Sequence, residues 1–283
     1  MNLLKSIYIV LYVSAANFFG FYSIYKFLDT GYDLAWLGAA ISAGPGGWLI
    51  SFLMLTRMIP RTSASLYPIT IMAVAGFGLA FYSHIQNDHV IVLPFILSLG
   101  GLIAWLLYAH WYSVLSRGEN PILELGKKLP HFELKNQHGE TVSSDSFSGS
   151  FALFLFFRGN WCPLCMAQIK EIAGLYHKLA EKGVSINLIS PQSQKHTESL
   201  ASHFDLPFNF LVDEDNEVAR QLGIIHKNGV PVGMQVLGYE SDTVLPTVII
   251  TDSSSEIIFA DLTDNYRLRP EPSTFLEIID RKS

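Results

Sequence analysis

Two cysteines are all that this 283-residue chain contains, Cys162 and Cys165, three positions apart. So few of them exclude a secreted disulfide scaffold, which needs more cysteines at wider spacings. A bridge across two intervening residues would also add little stability, because it removes little freedom from the unfolded chain. The pair is there for chemistry. Charge is scarce too, but only in one half. Residues 1–117 hold eight charged side chains: Lys5, Lys26, Asp29, Asp33, Arg57, Arg61, Asp88 and Arg117. The remaining 166 residues carry 14 of the 19 Lys+Arg and 22 of the 25 Asp+Glu. The formal charge is therefore +2 before residue 118 and −8 after it, which sums to the −6 of the whole chain. No basic stripe, low-complexity tract or internal repeat occurs, so no nucleic-acid partner is expected.

The uncharged first part holds four runs long enough to cross a hydrocarbon core, roughly 6–25, 34–56, 64–83 and 90–116. Lys5 and Ser14-Ala15-Ala16 imitate a signal peptide, but the apolar run continues through Phe18, Phe19, Phe21 and Tyr22 to Tyr25. It reads as a retained span. Gly44-Pro45-Gly46-Gly47 should kink the second span, and neighbouring helices can absorb such a break. Tyr67, Trp105, Trp111 and Tyr112 are expected at the interfaces. With the N-terminus inside, Lys5, Arg57, Arg61 and Arg117 lie in the cytoplasm and only Lys26 lies outside. The loop at 84–89 lacks Lys and Arg and suits the outer side. The positive-inside rule thus predicts a multi-pass inner-membrane protein with both termini and its soluble part in the cytoplasm.

No Asp, Glu, Lys or Arg lies within the predicted spans, which disfavours a transporter, since pumped substrates usually require buried ionisable groups. His110 reads as an interfacial histidine and Asn17 as an interhelical hydrogen bonder. No cysteine lies here either. The chain by itself therefore cannot relay thiol electrons through a bilayer.

The organisation predicted is four transmembrane helices over 1–117, a charged linker over 118–130 and an α/β domain over 131–283. A hairpin is expected around Phe132 and Leu134, the turn Asn136-Gln137-His138-Gly139, and Val142. Phe151 to Phe157 is a continuous apolar run, the mark of a buried central strand. A helix follows from Cys162, with apolar residues at 165, 169, 172, 176 and 179 on one face and Gly183 as its C-cap. Val184–Ile189 then completes a βαβ unit. Helix 193–203, strand 208–212, helix 215–222, a hairpin of 247–251 with 256–260 and a helix over 272–281 extend a mixed-sheet α/β domain.

Cys162-Pro163-Leu164-Cys165 lies where the buried strand hands over to that helix. Unpaired N–H groups and the positive end of the helix dipole stabilise a thiolate there, so one thiol should ionise below the free value of about 8.5. Pro163 at the helix start costs no hydrogen bond. Such a turn is an edge position, which argues against two inert core cysteines. Zinc would need two further ligands, and His177, His196 or His203 could supply them only by accident of folding. No metal or organic cofactor is expected.

Phe156-Phe157-Arg158-Gly159-Asn160-Trp161-Cys162-Pro163-Leu164-Cys165 resembles the active-site segment of the peroxiredoxin-like branch of the thioredoxin superfamily, the alkyl hydroperoxide reductase/thiol-specific antioxidant or redoxin group. Leu245-Pro246-Thr247 and Asp264-Asn265-Tyr266-Arg267-Leu268-Arg269-Pro270 extend the resemblance, which covers about 121–283. It implies a thioredoxin fold, a cis Pro246 lining the site beside Thr247, and antioxidant or oxidoreductase activity. Arg158 is expected to be the cation that helps the thiolate, ahead of Arg267 and Arg269, with Trp161 packed as a lid. One departure stands out. Peroxiredoxins carry a Pro-x-x-x-Thr-x-x-Cys pattern, and here Arg158 takes the proline's place, Cys162 the threonine's and Cys165 that of the peroxidatic cysteine. The thioredoxin register makes Cys162 the nucleophile instead. The two registers assign opposite roles, and Cys162 is the working expectation.

The predicted activity is a membrane-anchored CxxC thiol oxidoreductase that reduces disulfides or peroxides and is regenerated by an external thiol system. The rival is a redox-sensing membrane protein, in which the disulfide state controls partner binding without turnover.

Overall fold

The computed structural model of the chain describes residues 1–86 and 92–282. Two compact units are present: Ile7–Thr56 with Thr62–Val114, and Leu115–Ser283 joined by Met1–Ser6 and Arg57–Arg61.

The first unit is helical. Helix α1 is Asn2–Asp29, α2 Leu34–Thr56, α3 Tyr67–Gln86 and α4 Val92–Leu107, the last prolonged by a wider turn over Tyr108–Tyr112. The segments Asn2–Asp29, Leu34–Thr56, Tyr67–Gln86 and Val92–Tyr112 are long and apolar enough to cross a membrane. Of the predicted 84–89 loop, residues 87–89 lie outside the described residues. Despite Pro45, α2 runs unbroken from Leu34 to Thr56. Its small residues instead let the helices approach closely. A Cβ on Gly38 would stand 2.5 Å from the Ala80 nitrogen and 2.6 Å from the Gly76 oxygen, and one on Gly101 would stand 2.6 Å from the Ala43 Cα. Such small-residue seams are how helices associate where no water drives them together.

Polar side chains cross-link the same helices. Asn17 donates to Ser51 Oγ at 2.9 Å, as expected of it, and Ser42 donates to the Ser98 carbonyl at 2.7 Å. Trp105 departs from its interfacial expectation. It is buried, stacks near Tyr108 and donates its indole N–H to Thr70 at 2.9 Å. An indole with a partner in reach is more stable inside the bundle than at its rim.

The second unit is built on a seven-stranded sheet, with a small two-stranded sheet of Ile225–His226 and Thr243–Val244 beside it. Its elements are β1 Glu133–Asn136, β2 Thr141–Ser143, β3 Ala152–Phe156, α5 Pro163–Gly174, α6 Tyr176–Glu181, β4 Ser185–Ser190, α7 Gln194–Ala201, β5 Asn209–Val212, α8 Glu217–Gln221, β6 Ile225–His226, β7 Thr243–Val244, β8 Thr247–Thr251, β9 Ile257–Asp261 and α9 Pro272–Asp280. The larger sheet has the order β2-β1-β5-β4-β3-β8-β9. Strands β5, β4 and β3 run parallel, and β8 is antiparallel both to β3 and to its hairpin partner β9. This is the thioredoxin-like arrangement, with the all-buried β3 at the sheet's interior as its apolar run predicts. The rings of Phe132 and Phe147 meet Phe154 edge-on at 6.0 and 5.7 Å.

Three departures have local causes. The helix expected to run through to Gly183 breaks at Gly174–Leu175, where glycine weakens the turn, and resumes as α6. Gly183 still closes it at φ +69°, with Val184 N–H donating to the Leu179 carbonyl at 3.1 Å. Residues expected as a linker carry structure: Asn120 caps the turn Pro121–Leu123 and donates to the Leu222 carbonyl, and Leu123 is buried. The β6–β7 pair and the loop between them escaped sequence reading, because strands of two residues have no periodicity to detect.

Because the Gly38 seam has no room for a side chain, Gly38→Val should cost about 1–3 kcal/mol by overpacking. Gly100, with nothing near its would-be Cβ, should accept alanine with little change. Thermal melts in detergent, followed by circular dichroism, should separate the two variants.

Candidate active site

The site begins where β3 ends. Phe157 N–H still bonds to the Ile189 carbonyl at 2.9 Å, after which the chain turns through Arg158, Gly159, Asn160 and Trp161. Gly159 has φ +132°, and a Cβ there would stand 2.8 Å from the Trp161 indole nitrogen. Only glycine suits that position. Gln192 accepts the Asn160 N–H at 2.8 Å and donates to Thr197 at 3.3 Å. The Arg158 carbonyl accepts from Thr243 Oγ1 at 2.9 Å. The turn is thereby held from both sides.

Cys162 is the N-cap of α5, Pro163 is its first helical residue and Cys165 its third. An N-cap side chain points toward the amides of the second and third residues, so this spacing brings the two sulfurs together. The Cys162 thiol hydrogen-bonds to Cys165. Both cysteines are reduced and buried, Cys162 at 2% exposure and Cys165 at 0%. The edge-position expectation therefore fails. Trp161 packs against Gly159 of the turn at 9% exposure, and Arg269 closes in from the C-terminal segment.

Arg269 is the cation in contact with the sulfur, and the Arg158 guanidinium adds a weaker pull on both thiols. Nη2 of Arg269 lies 3.5 Å from Cys165 Sγ, and its Nη1 donates to Gln168 Oε1 at 2.8 Å. The Arg158 guanidinium lies 4.7 Å from the Trp161 ring centroid and 5.8 Å from that of Tyr266, and it donates to the Gly229 carbonyl. Burial alone would push the Cys165 thiol up. The Cys162 hydrogen bond, the Arg269 cation and the Arg158 backbone N–H outweigh that and hold it well below the usual thiol range. Cys162 goes the other way, raised by burial and then by its hydrogen bond to Cys165. One thiolate and one thiol result.

Other expectations need adjustment. No cis peptide occurs among the described residues, so Leu245–Pro246 is trans. Leu245 N–H bonds to the Ile224 carbonyl at 2.7 Å and the Pro246 carbonyl accepts from Arg117, which hold the chain extended into β8. Thr247 is buried, accepts from Arg117 Nη1 at 3.0 Å and pairs with Phe156 at the end of β3. Arg267 is buried as well. Gln168 and His226 went unnoticed in the sequence. Gln168 could have been found as the residue one turn beyond Cys165. Burial, then the cations of Arg158, Lys5 and Arg117, push His226 down to about 3, so it is neutral at ordinary pH.

Comparison with known proteins places the C-terminal domain in a family. The AhpC/TSA family model matches residues 125–260. Peroxiredoxin Bcp of Bacillus subtilis is 30% identical over 125 residues, covering 44% of this chain and 78% of the relative. A putative peroxiredoxin bcp of Coxiella burnetii is 32% identical over 124 residues, 44% of this chain and 81% of the relative. The thiol-disulfide oxidoreductase ResA of Bacillus cereus is 28% identical over 131 residues, 46% and 72% respectively. Through its C-terminal domain the chain belongs to the AhpC/TSA family, as a thiol-dependent peroxidase or oxidoreductase.

Proposed function

We propose that this chain is a membrane-anchored thiol peroxidase in which Cys165 attacks and Cys162 resolves. The observation that carries the reading is the fully buried Cys165 sulfur 3.5 Å from the Arg269 guanidinium. Burial of this sulfur bars a protein disulfide, which must bring a whole chain up to it, more strongly than a peroxide, which needs only a small opening. This register reverses the working expectation that Cys162 attacks.

The steps follow from the charges. The Cys165 thiolate attacks one peroxide oxygen, an S–O bond forms and the O–O bond breaks. The leaving alkoxide or hydroxide departs beside the Arg269 guanidinium and takes up a proton. Cys162 sulfur then attacks the Cys165 sulfenic acid, which releases water and forms the intramolecular disulfide. An external thiol pair supplies two electrons to restore both thiols. In this register Cys162 occupies the place of the family's threonine, so the donor that stabilises the thiolate later becomes its partner in the disulfide.

Disulfide exchange is the second reading, favoured by the CxxC pair at a helix start and by the ResA relative. Anchoring rests on the four long apolar helices, and the cytoplasmic placement of the redox domain rests on the Lys/Arg distribution. A sensor would oxidise once without turnover.

Full-length Cys165→Ser should lose peroxide consumption altogether. Cys162→Ser should still consume about one equivalent and accumulate a sulfenic acid on Cys165, detected by mass spectrometry after trapping; the opposite pattern would restore Cys162 as nucleophile. A parallel assay on a disulfide substrate decides between the two chemistries. Removing the cation with Arg269→Met should move the thiolate's ultraviolet titration upward by about one pH unit or more, which is about tenfold less thiolate at neutral pH. For sidedness, an added protease should spare the redox domain in intact cells and digest it in inverted vesicles.

A further inference from the structure

Arg269 can act on the sulfur only if its own backbone is held, and the holding group comes from far away in the chain. Arg61 belongs to the connection between α2 and α3, within a segment, Arg57–Arg61, that packs with the redox unit. Its Nε donates to the Arg269 carbonyl at 3.0 Å and its Nη2 to the Pro270 carbonyl at 3.2 Å. The same guanidinium forks onto Glu171: Nη1 donates to Oε1 at 3.0 Å, and Nη2 also pairs with Oε2. Glu271 Oε1 stands 3.9 Å from Nη1.

The partners on α5 form a line. Cys165, Gln168 and Glu171 recur at three-residue intervals, which places them on neighbouring turns of one face. Arg269 grips the upper two and Arg61 the third. Two arginines thus clasp one helix face, and one of them also fixes the main chain of the other. A planar fork with several donors suits such a task; a lysine, with one compact charge, cannot reproduce it.

We propose that Arg61 is a positioning residue for the thiol site: it ties the Arg269 main chain to Glu171 of α5, so that the Arg269 guanidinium stays on the Cys165 sulfur. Loss of the clamp frees the 269–270 segment while the sheet and α5 keep their own core. The effect reaches Cys165 through the distance of one cation, so it shows in the sulfur's ionisation. This inference rests on Cys165 being the ionised thiol, and it holds whether peroxide or disulfide is the substrate.

The test uses the reduced full-length chain in detergent, with thiolate absorbance titrated against pH and corrected by the Cys165→Ser variant. Arg61→Met should raise the titration midpoint by about half to one pH unit, a three- to tenfold loss of thiolate at neutral pH. Arg61→Lys should recover only part of that shift. Glu171→Gln, which keeps the shape and weakens the fork, should move the midpoint in the same direction by less, and it serves where Arg61→Met does not fold. A midpoint unchanged in the folded variants overturns the proposal. Should the wild-type band survive in Cys165→Ser and vanish in Cys162→Ser, the clamp and the nucleophile assignment fall together. Absence of peroxide turnover with the shifts intact would overturn the peroxidase reading and leave the clamp standing.

Discussion

A sulfur removed from water can hold a negative charge only if the protein supplies what water would have supplied. Burying an unpaired anion costs far more than a single contact returns, so the Cys165 site has to be assembled from several directions. α5 contributes its N-terminal position and the Cys162 donor, the turn after β3 contributes the Arg158 amide, and the C-terminal segment contributes Arg269. No one of these groups would suffice alone. Their convergence explains why Arg269 of the C-terminal segment reaches back to Cys165 and Gln168 of α5.

The same requirement accounts for the scaffold. β3 is buried on both faces between β4 and β8, so its end is a fixed point. The turn that leaves it is held by Gln192 on one side and by Thr243 on the other, and Gly159 alone permits its backbone. An N-cap cysteine placed on such a rigid hand-over needs no large chain movement to meet a sulfur in the first helical turn. On the proposed reading, the Cys162–Cys165 spacing lets resolution take place within one turn.

Much of this was legible in the residues. The apolar run of β3, the glycine at 183 and the two-cysteine economy pointed directly to strand, helix and chemistry, because each depends on local physics. What escaped depends on tertiary placement. Burial of the thiols is invisible locally, since a strand-to-helix turn is usually open; here Arg269 reaches in from the C-terminal segment to the Cys165 sulfur. Arg158 looked the better cation because it is near in sequence, yet Arg269, over a hundred residues away, is near in space. Aromatics gather at membrane rims, but Thr70 offers the Trp105 indole a partner inside. The family resemblance implies a cis Pro246, whereas hydrogen bonds from Leu245 and to Pro246 hold an extended trans path.

The helical half restricts what the redox half can do. Helices that meet through Gly38, Gly76 and Gly101 leave little space at their seams for a prosthetic group, and a side chain there would strike backbone. With both cysteines of the chain in the α/β unit, no thiol stands within the apolar helices to pass electrons along them. Within the anchored reading, oxidant and reductant must therefore meet the pair from the same side of the bilayer. On that reading, transfer of electrons across the membrane would need a carrier other than these two cysteines.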